Sequence, residues 1–316
     1  MTGKATLKKG EKTLGNIFKI IFNKVVAGFI YLISLLPFKL LYFISDILYF
    51  FLRFIFRYRR KVIFDNITFA FPEKSEIEIK AIIKKFYKHL ADLIMEVIKL
   101  RNISEKELDK RLSYNSLELA EKYYRENKSI IVLAMHHNNW EWCSFMQTKV
   151  DHFLFMVYNP VRGSKSIENF MLRSRERWGG QCVPENKSAR LVLDFHQRGK
   201  PSVLWLGADQ TAPVTSKFWT LFLNREAPFF SGPEKIAVKT NQPVFFHHIR
   251  KVSRGHYESD FIPLVKNPAE VEPNEILLRY IRKMEEIIAK EPEYYLWSHR
   301  RWKHKRPEGT PLITSV

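Results

Sequence analysis

The chain has only two cysteines, Cys143 and Cys182, far apart and outside any CxxC or Cys/His ligand spacing. That scarcity excludes a disulfide framework and a cysteine-based zinc site, and it points to a reducing compartment. Apolar runs of spanning length are also missing. The longest charge-free stretch, Val25 to Phe38, falls short of the ~18–20 residues that a simple membrane-crossing helix needs, so hydropathy alone leaves a span open. The basic start MTGKATLKKGEK does not lead into a short apolar core with a small-residue cleavage site, so no cleaved secretory signal is read and the chain is expected to keep its N-terminus. Internal repeats and low-complexity segments are absent too. Acidic residues are in deficit, with 33 Asp and Glu against 52 Lys and Arg, and the resulting charge of +19 demands an anionic partner. Nucleic acid, anionic phospholipid and an acidic carrier protein all qualify.

What is present is apolar and aromatic material. A hydrophobic share of 46% with 25 Phe excludes intrinsic disorder and hints at lipid, and 316 residues suit one large domain with an added N-terminal module. Phe, Ile, Leu and Tyr dominate from Ile17 to Arg60. Lys39, Asp46, Arg53 and Arg60 stand seven residues apart there, which is nearly two helical turns, so they share one narrow face of an otherwise apolar helix. Such a helix either lies in the membrane interface with its charges among the headgroups or packs that stripe on its own catalytic domain. The Phe content and the cluster RYRRK after it favour the cytoplasmic membrane surface, and residues 1–60 are read as a membrane anchor.

Residues 61–127 read as helical. Ser75 and Glu78 form a capping box before apolar residues at helical spacing, which predicts an amphipathic helix from Glu76 to Leu100; a second helix is expected from Ser116 to Glu126. From residue 128 the pattern changes. The runs SIIVLAM (Ser129–Met135), HFLFMVY (His152–Tyr158), PSVLWLG (Pro201–Gly207) and PVFFHHI (Pro243–Ile249) have the length and composition of buried strands separated by helical segments, so residues 128–316 are read as an α/β domain.

The chemistry gathers in HHNNWEWCSFMQ, directly after the first of these strands, with Asn138 or Asn139 suited to cap the following helix. His136 and Glu141 are five apart, about 140° around a continuous helix, so they meet only if His136 ends the strand and Glu141 begins the helix. That arrangement sets both at the carboxyl end of a strand, where open α/β sheets bind ligands. A carboxylate on one imidazole nitrogen leaves the other free as a general base, suited to taking a proton from an alcohol. Zinc is the competing reading, but HEXXH is absent and two adjacent histidines rarely share one metal, so no metal is expected. A purely structural His136 is the default that spacing alone does not overturn.

The box HHNNWE, with its histidine, four residues and an acid, resembles the HFGNWE-type motif of the bacterial lipid A biosynthesis acyltransferases of lauroyl and myristoyl type. RRKVIFDNITFAFPEKS, VYNPVRG with RSRERWGG, GADQTAP and EPEYYLWSHRRWK resemble further blocks of that family in order, over residues from about 30 to 306. His137 stands where Phe is common and Asn138 where Gly is common; Asn tolerates the left-handed conformation that such a turn needs. The resemblance implies an α/β sandwich like that of glycerol-3-phosphate acyltransferases, with an N-terminal hydrophobic membrane helix. It also implies transfer of a fatty acyl chain from acyl-carrier protein, or coenzyme A, to a hydroxyl of a lipid A precursor, the secondary acylation. His136 is then the base and Glu141 its orienting acid, with no acyl-enzyme, no cofactor and no metal. Acyl-carrier protein, a glycolipid acceptor and membrane lipids are the implied partners, without nucleic acid, and the cytoplasmic side of the inner membrane is the implied location. Another glycolipid or aminolipid is the alternative acceptor.

Arg162 after a strand, Arg173 and Arg177 on the next helix, Asp209 and Gln210 at a strand end, and Glu234 with Lys235 in SGPEKIAVKT are the candidates for substrate contact, against solvated charges or turn formers as the plain reading. His247 and His248 read as structural and Cys143 as core. The run HRRWKHKR (His299–Arg306) carries five basic residues around a Trp and suits an acidic carrier at a membrane-proximal entrance. A tethered nucleic-acid-binding or scaffold protein also accounts for the charge, but it leaves the His136 and Glu141 spacing unexplained.

Overall fold

The computed structural model describes residues 22–160 and 164–314. A seven-stranded sheet is built from β1 (Leu112–Asn115), β2 (Ile130–Ala134), β3 (Phe153–Tyr158), β4 (Gln181–Pro184), β5 (Ser202–Gly207), β8 (Val244–Ser253) and β9 (His256–Val265). Its order is β1-β9-β8-β2-β5-β3-β4, and all neighbours are parallel except the hairpin pair β8 and β9. β6 (Trp219–Phe222) and β7 (Arg225–Pro228) form a separate antiparallel hairpin. The four apolar runs became β2, β3, β5 and β8. Every residue of β2 is buried, as a central parallel strand covered on both faces requires.

Alternation along the strands divides the core into two layers. Ile131, Leu133, Leu204 and Leu206 face a cluster shared with α4 (Glu76–Lys99) and α10 (Glu275–Lys290); Ile130, Val132, Val203 and Trp205 face a second cluster with α6 (Glu118–Arg125). The architecture is therefore α/β, with helices on both sides of a mainly parallel sheet. β1, from the stretch read as helical, supplies one edge.

α4 begins where its capping box predicts: Glu78 N–H donates to Ser75 Oγ at 3.3 Å, and Ser75 N–H donates back to Glu78 Oε2 at 2.8 Å. Its buried side carries Asp92 and Glu96 four residues apart, and these fix the N-terminal part of the chain. Ser45 Oγ donates to Asp92 at 2.7 Å and Tyr42 Oη to Glu96 at 2.9 Å, both from α2 (Phe38–Phe50), while Arg254 in the β8–β9 turn bridges Asp92 and Asp46. So α2 turns part of its polar side inward, onto α4 and the β8–β9 turn, and exposes Leu40, Phe43, Ile47 and Phe50.

The expected N-terminal hydrophobic membrane helix, whose span the sequence leaves open, is not borne out as a long apolar helix. Pro37 separates the helix described over residues 22–35 from α2, which runs on only through a π-helical turn at Phe51–Ile55, so neither stretch reaches the ~20 residues that cross a bilayer core. No helix among the described residues is long and apolar enough to cross a membrane.

Candidate active site

β2 ends at Ala134, and the chain turns through His136, His137 and Asn138 into a 3-10 helix over Trp140–Thr148. Asn138 takes the left-handed conformation at φ 54°, as the sequence allows at that place. Neither asparagine caps the helix with its side chain, contrary to expectation. Asn139 Nδ2 donates instead to Glu96 Oε2 at 2.7 Å, and Asn138 Nδ2 to the Ile249 carbonyl at 2.9 Å. The turn is also stitched to the C-terminal block: Asn138 N–H donates to Tyr294 O and Leu296 N–H to His136 O, at 3.1 and 3.0 Å. Asn66, in the pre-catalytic block, donates to the carbonyls of Trp297 and His299 at 2.8 and 2.9 Å. The turn that carries His136 is thus tied directly to Glu96 and to the C-terminal block, which Asn66 holds in its turn.

His136 lies where the strand-to-helix reading puts it, but its partner is different. Nδ1 donates to Asp209 Oδ1 at 2.7 Å, and Gln210 Nε2 donates to the free Nε2 at 3.0 Å. Asp209 and Gln210 follow β5, which pairs with β2 in parallel from Ile130 with Val203 to Ala134 with Gly207, so the two strand ends lie side by side. Gly207 leaves room for the imidazole, since a Cβ there would come within 3.0 Å of His136 Cε1. Burial pushes the Asp209 carboxyl up, and the charge and hydrogen bonds of His136 more than reverse this, leaving it below the usual range.

The expected His136–Glu141 hydrogen bond is not formed. Glu141, 6% exposed on the first turn of the 3-10 helix, accepts two bonds from Arg175, at 2.7 Å from Nε and 2.6 Å from Nη2, and a third from Trp140 Nε1 at 3.2 Å. Burial raises the Glu141 carboxyl, but the guanidinium outweighs it and holds the group ionised. The reason is local: a buried carboxylate needs a hydrogen-bonded cation, and a planar fork satisfies both oxygens where one imidazole nitrogen serves one.

A cavity of about 360 Å³ opens beside these groups, lined by His136, Glu141, Arg175 and Gln210 at its polar end and by Met156, Leu172, Leu204, Leu206 and Ile236 along its apolar wall. Cys143 also lines it. Burial, then Glu141, pushes that thiol far up, so it is no nucleophile. Behind Asp209, Thr211 N–H donates to His299 Nε2 at 3.2 Å, and Arg301 lies 1% exposed with its guanidinium 4.1 Å from the Phe229 ring centre.

Of the other expected contacts, Arg162 falls outside the described residues. Arg173 is exposed at the end of α7 (Lys165–Arg175), and Arg177 donates to the carbonyls of Leu100 and Ile103. Glu234 is not in the cavity wall; its carboxylate accepts from the backbone N–H groups of Asn274 and Leu277 and so caps α10. Arg175 was not singled out in RSRERWGG. A buried glutamate in need of a cation was the available signal, but three arginines at alternate positions carry no sign of which one turns inward.

A histidine with a buried carboxylate on one ring nitrogen and a cavity at the other has the chemistry to act as a general base. The chain belongs to the bacterial lipid A biosynthesis acyltransferase family, whose model matches residues 9–304, and it is accordingly an acyltransferase. The lipid A biosynthesis lauroyltransferase of Escherichia coli K12 is 23% identical over 268 residues, 82% of this chain and 83% of that protein. The myristoyltransferase of the same organism is 22% identical over 247 residues, 77% of this chain and 74% of that protein. Among solved structures, the 1-acyl-sn-glycerophosphate acyltransferase of Thermotoga maritima covers 81% of this chain and 98% of that chain, with 12% identity and a TM-score of 0.36.

Proposed function

We propose that this acyltransferase carries a fatty acyl chain from the thioester of acyl-carrier protein to a hydroxyl of a lipid A precursor, with His136 as the base. The observation that carries the reading is the 2.7 Å bond from His136 Nδ1 to Asp209, which leaves Nε2 as the basic nitrogen at the polar end of an apolar cavity. The acceptor hydroxyl displaces the Gln210 amide from Nε2 and gives up its proton there. Its oxygen attacks the thioester carbon, the C–O bond forms, and the tetrahedral centre collapses with loss of the thiolate, which takes the proton back from the imidazolium. Asp209 holds the tautomer and offsets the transient positive charge. The Glu141–Arg175 pair keeps a guanidinium in the cavity wall, where negative charge builds on the carbonyl oxygen. The acyl chain lies along Leu204, Leu206 and Ile236.

The same reading sets the enzyme on the cytoplasmic face of the inner membrane. Exposed Phe29, Leu32, Leu35, Phe43, Ile47, Phe50 and Phe54 form an apolar surface that ends at the basic residues Arg57, Arg59 and Arg60, the composition that seats a helix in an anionic interface. Exposed Arg300, Lys303 and Lys305 favour an acidic carrier as donor. The test supplies purified enzyme with a 3-hydroxyacylated lipid A precursor and either the carrier-protein or the coenzyme A thioester, and weighs the lipid product. The reading expects one added acyl group, faster from the carrier thioester, and loss of roughly a thousandfold or more in rate for His136→Ala. No acylated product from either donor, or an unchanged rate in the variant, overturns it.

A further inference from the structure

His137, the residue after the base, points into a different environment from His136. It is 2% exposed, and it is absent from the wall of the substrate cavity. Across from it on β8 stands His248, with ring centres 6.0 Å apart, and at the end of α10 stands Glu291. One ligand atom from each of the three lies within 4.8 Å of the others, the single such group of three among the described residues. Two of the three carry buried atoms without any hydrogen-bond partner: His248 Nε2 and Glu291 Oε2. Buried polar atoms are paired as a rule, so two unpartnered ones within a group of three possible ligands point to a ligand. Although the three residues lie within reach of one another, no side-chain hydrogen bond joins His248 to Glu291, and a cation would take the imidazole lone pair and the carboxylate oxygen together.

We propose that His137, His248 and Glu291 bind a divalent transition-metal ion, zinc by ligand type. Two imidazoles and one carboxylate suit zinc rather than magnesium or calcium, which favour oxygen sets. Zinc bonds of about 2.0–2.2 Å draw the ligand atoms closer than they now stand. His137 contributes one ring nitrogen by giving up a weak bond, either Nδ1 with Asn138 Nδ2 or Nε2 with the Glu291 carbonyl, both at 3.1 Å. The adjacent histidines do not share the ion, because His136 is committed to Asp209. The ion takes no part in acyl transfer. It ties the catalytic turn to β8 and to the end of α10, fixing the backbone that carries His136.

The test uses the purified full chain stripped with chelator. Zinc and cobalt(II) are titrated singly, following heat of binding, the visible absorption of bound cobalt, and Tm. The expected result is close to one equivalent bound below micromolar Kd, cobalt bands of a low-coordination site, and a rise in Tm with zinc. His248→Gln and Glu291→Gln each lose at least tenfold in affinity, while exposed His196→Gln binds as the parent does. The cobalt spectrum of the parent needs no variant to fold. Less than a tenth of an equivalent bound, a Tm that zinc leaves in place, or variants that bind as tightly as the parent overturn the proposal.

Discussion

Asp209 and Glu141 are both buried carboxylates beside His136 or its cavity, yet their neighbours give them different work. Asp209 spends its charge on the imidazole and Glu141 on the guanidinium of Arg175. Breaking a buried pair by removing one partner leaves the other charge uncompensated, at about 3–5 kcal/mol. Glu141→Gln is therefore expected to lower unfolding free energy by roughly that amount in denaturant titration, and adding Arg175→Met to recover much of it. Strictly additive losses in the two single variants and the double would deny the pair. His299 supplies a pH handle. Burial holds it down to about 4 from an ordinary 6.5, and its Nε2 accepts from Thr211 N–H. As pH falls, the unfolded chain takes up this proton first, so the contribution is complete above about 6.5 and is lost as pH drops towards 4. Tm measured between pH 7.5 and 4.5 should fall with acid, and His299→Gln should flatten part of that fall. An identical slope in the variant would remove His299 from the account.

At the scale of elements, α2 is apolar on both faces, since Phe38 and Leu41 are buried beside Ser45. Tyr42, Ser45 and Asp46 meet α4 and Arg254, while Phe43, Ile47 and Phe50 meet solvent. A surface helix built so has a use for its outer face, and burying two phenylalanines in lipid is worth about 3 kcal/mol or more. Replacing Phe43 and Phe50 by Glu should cut sedimentation with anionic phospholipid vesicles at least tenfold while Tm stays level. Full retention would locate membrane contact elsewhere. The charge spacing shows a polar stripe at Lys39, Asp46 and Arg53 but not what it faces, which depends on Asp92 and on Arg254 about two hundred residues away; Arg60 leaves that face, because Arg57 and Arg59 are left-handed and Arg60 begins the next helix. α4 was readable to within a residue, since its start is written locally in Ser75 and Glu78. β9 was missed although Tyr257, Ser259 and Phe261 alternate inward, because Glu258 and Asp260 between them break the apolar run. β1 and β4, four residues each, carry no pattern long enough to see.

For the whole molecule, the sequence alone places His136 at a strand-to-helix turn, because a strand, a left-handed Asn and a helix leave few other ways to arrange it. It did not reveal the partner of that histidine. His136 and Asp209 are 73 residues apart, joined only by the parallel register of β2 with β5, which no local pattern encodes. Glu141 had the nearer spacing but met a better partner. The proposed catalysis depends on Asp209 holding the imidazole and balancing its charge. Its direct measurement is the steady-state rate of Asp209→Asn with acyl thioester and lipid A precursor, alongside Tm to confirm folding. The amide accepts poorly and favours the wrong tautomer, so kcat should fall roughly a hundredfold or more with KM little changed. A folded Asp209→Asn enzyme with kcat within about threefold of the parent, well short of the ~100-fold that general-base loss costs, would contradict it.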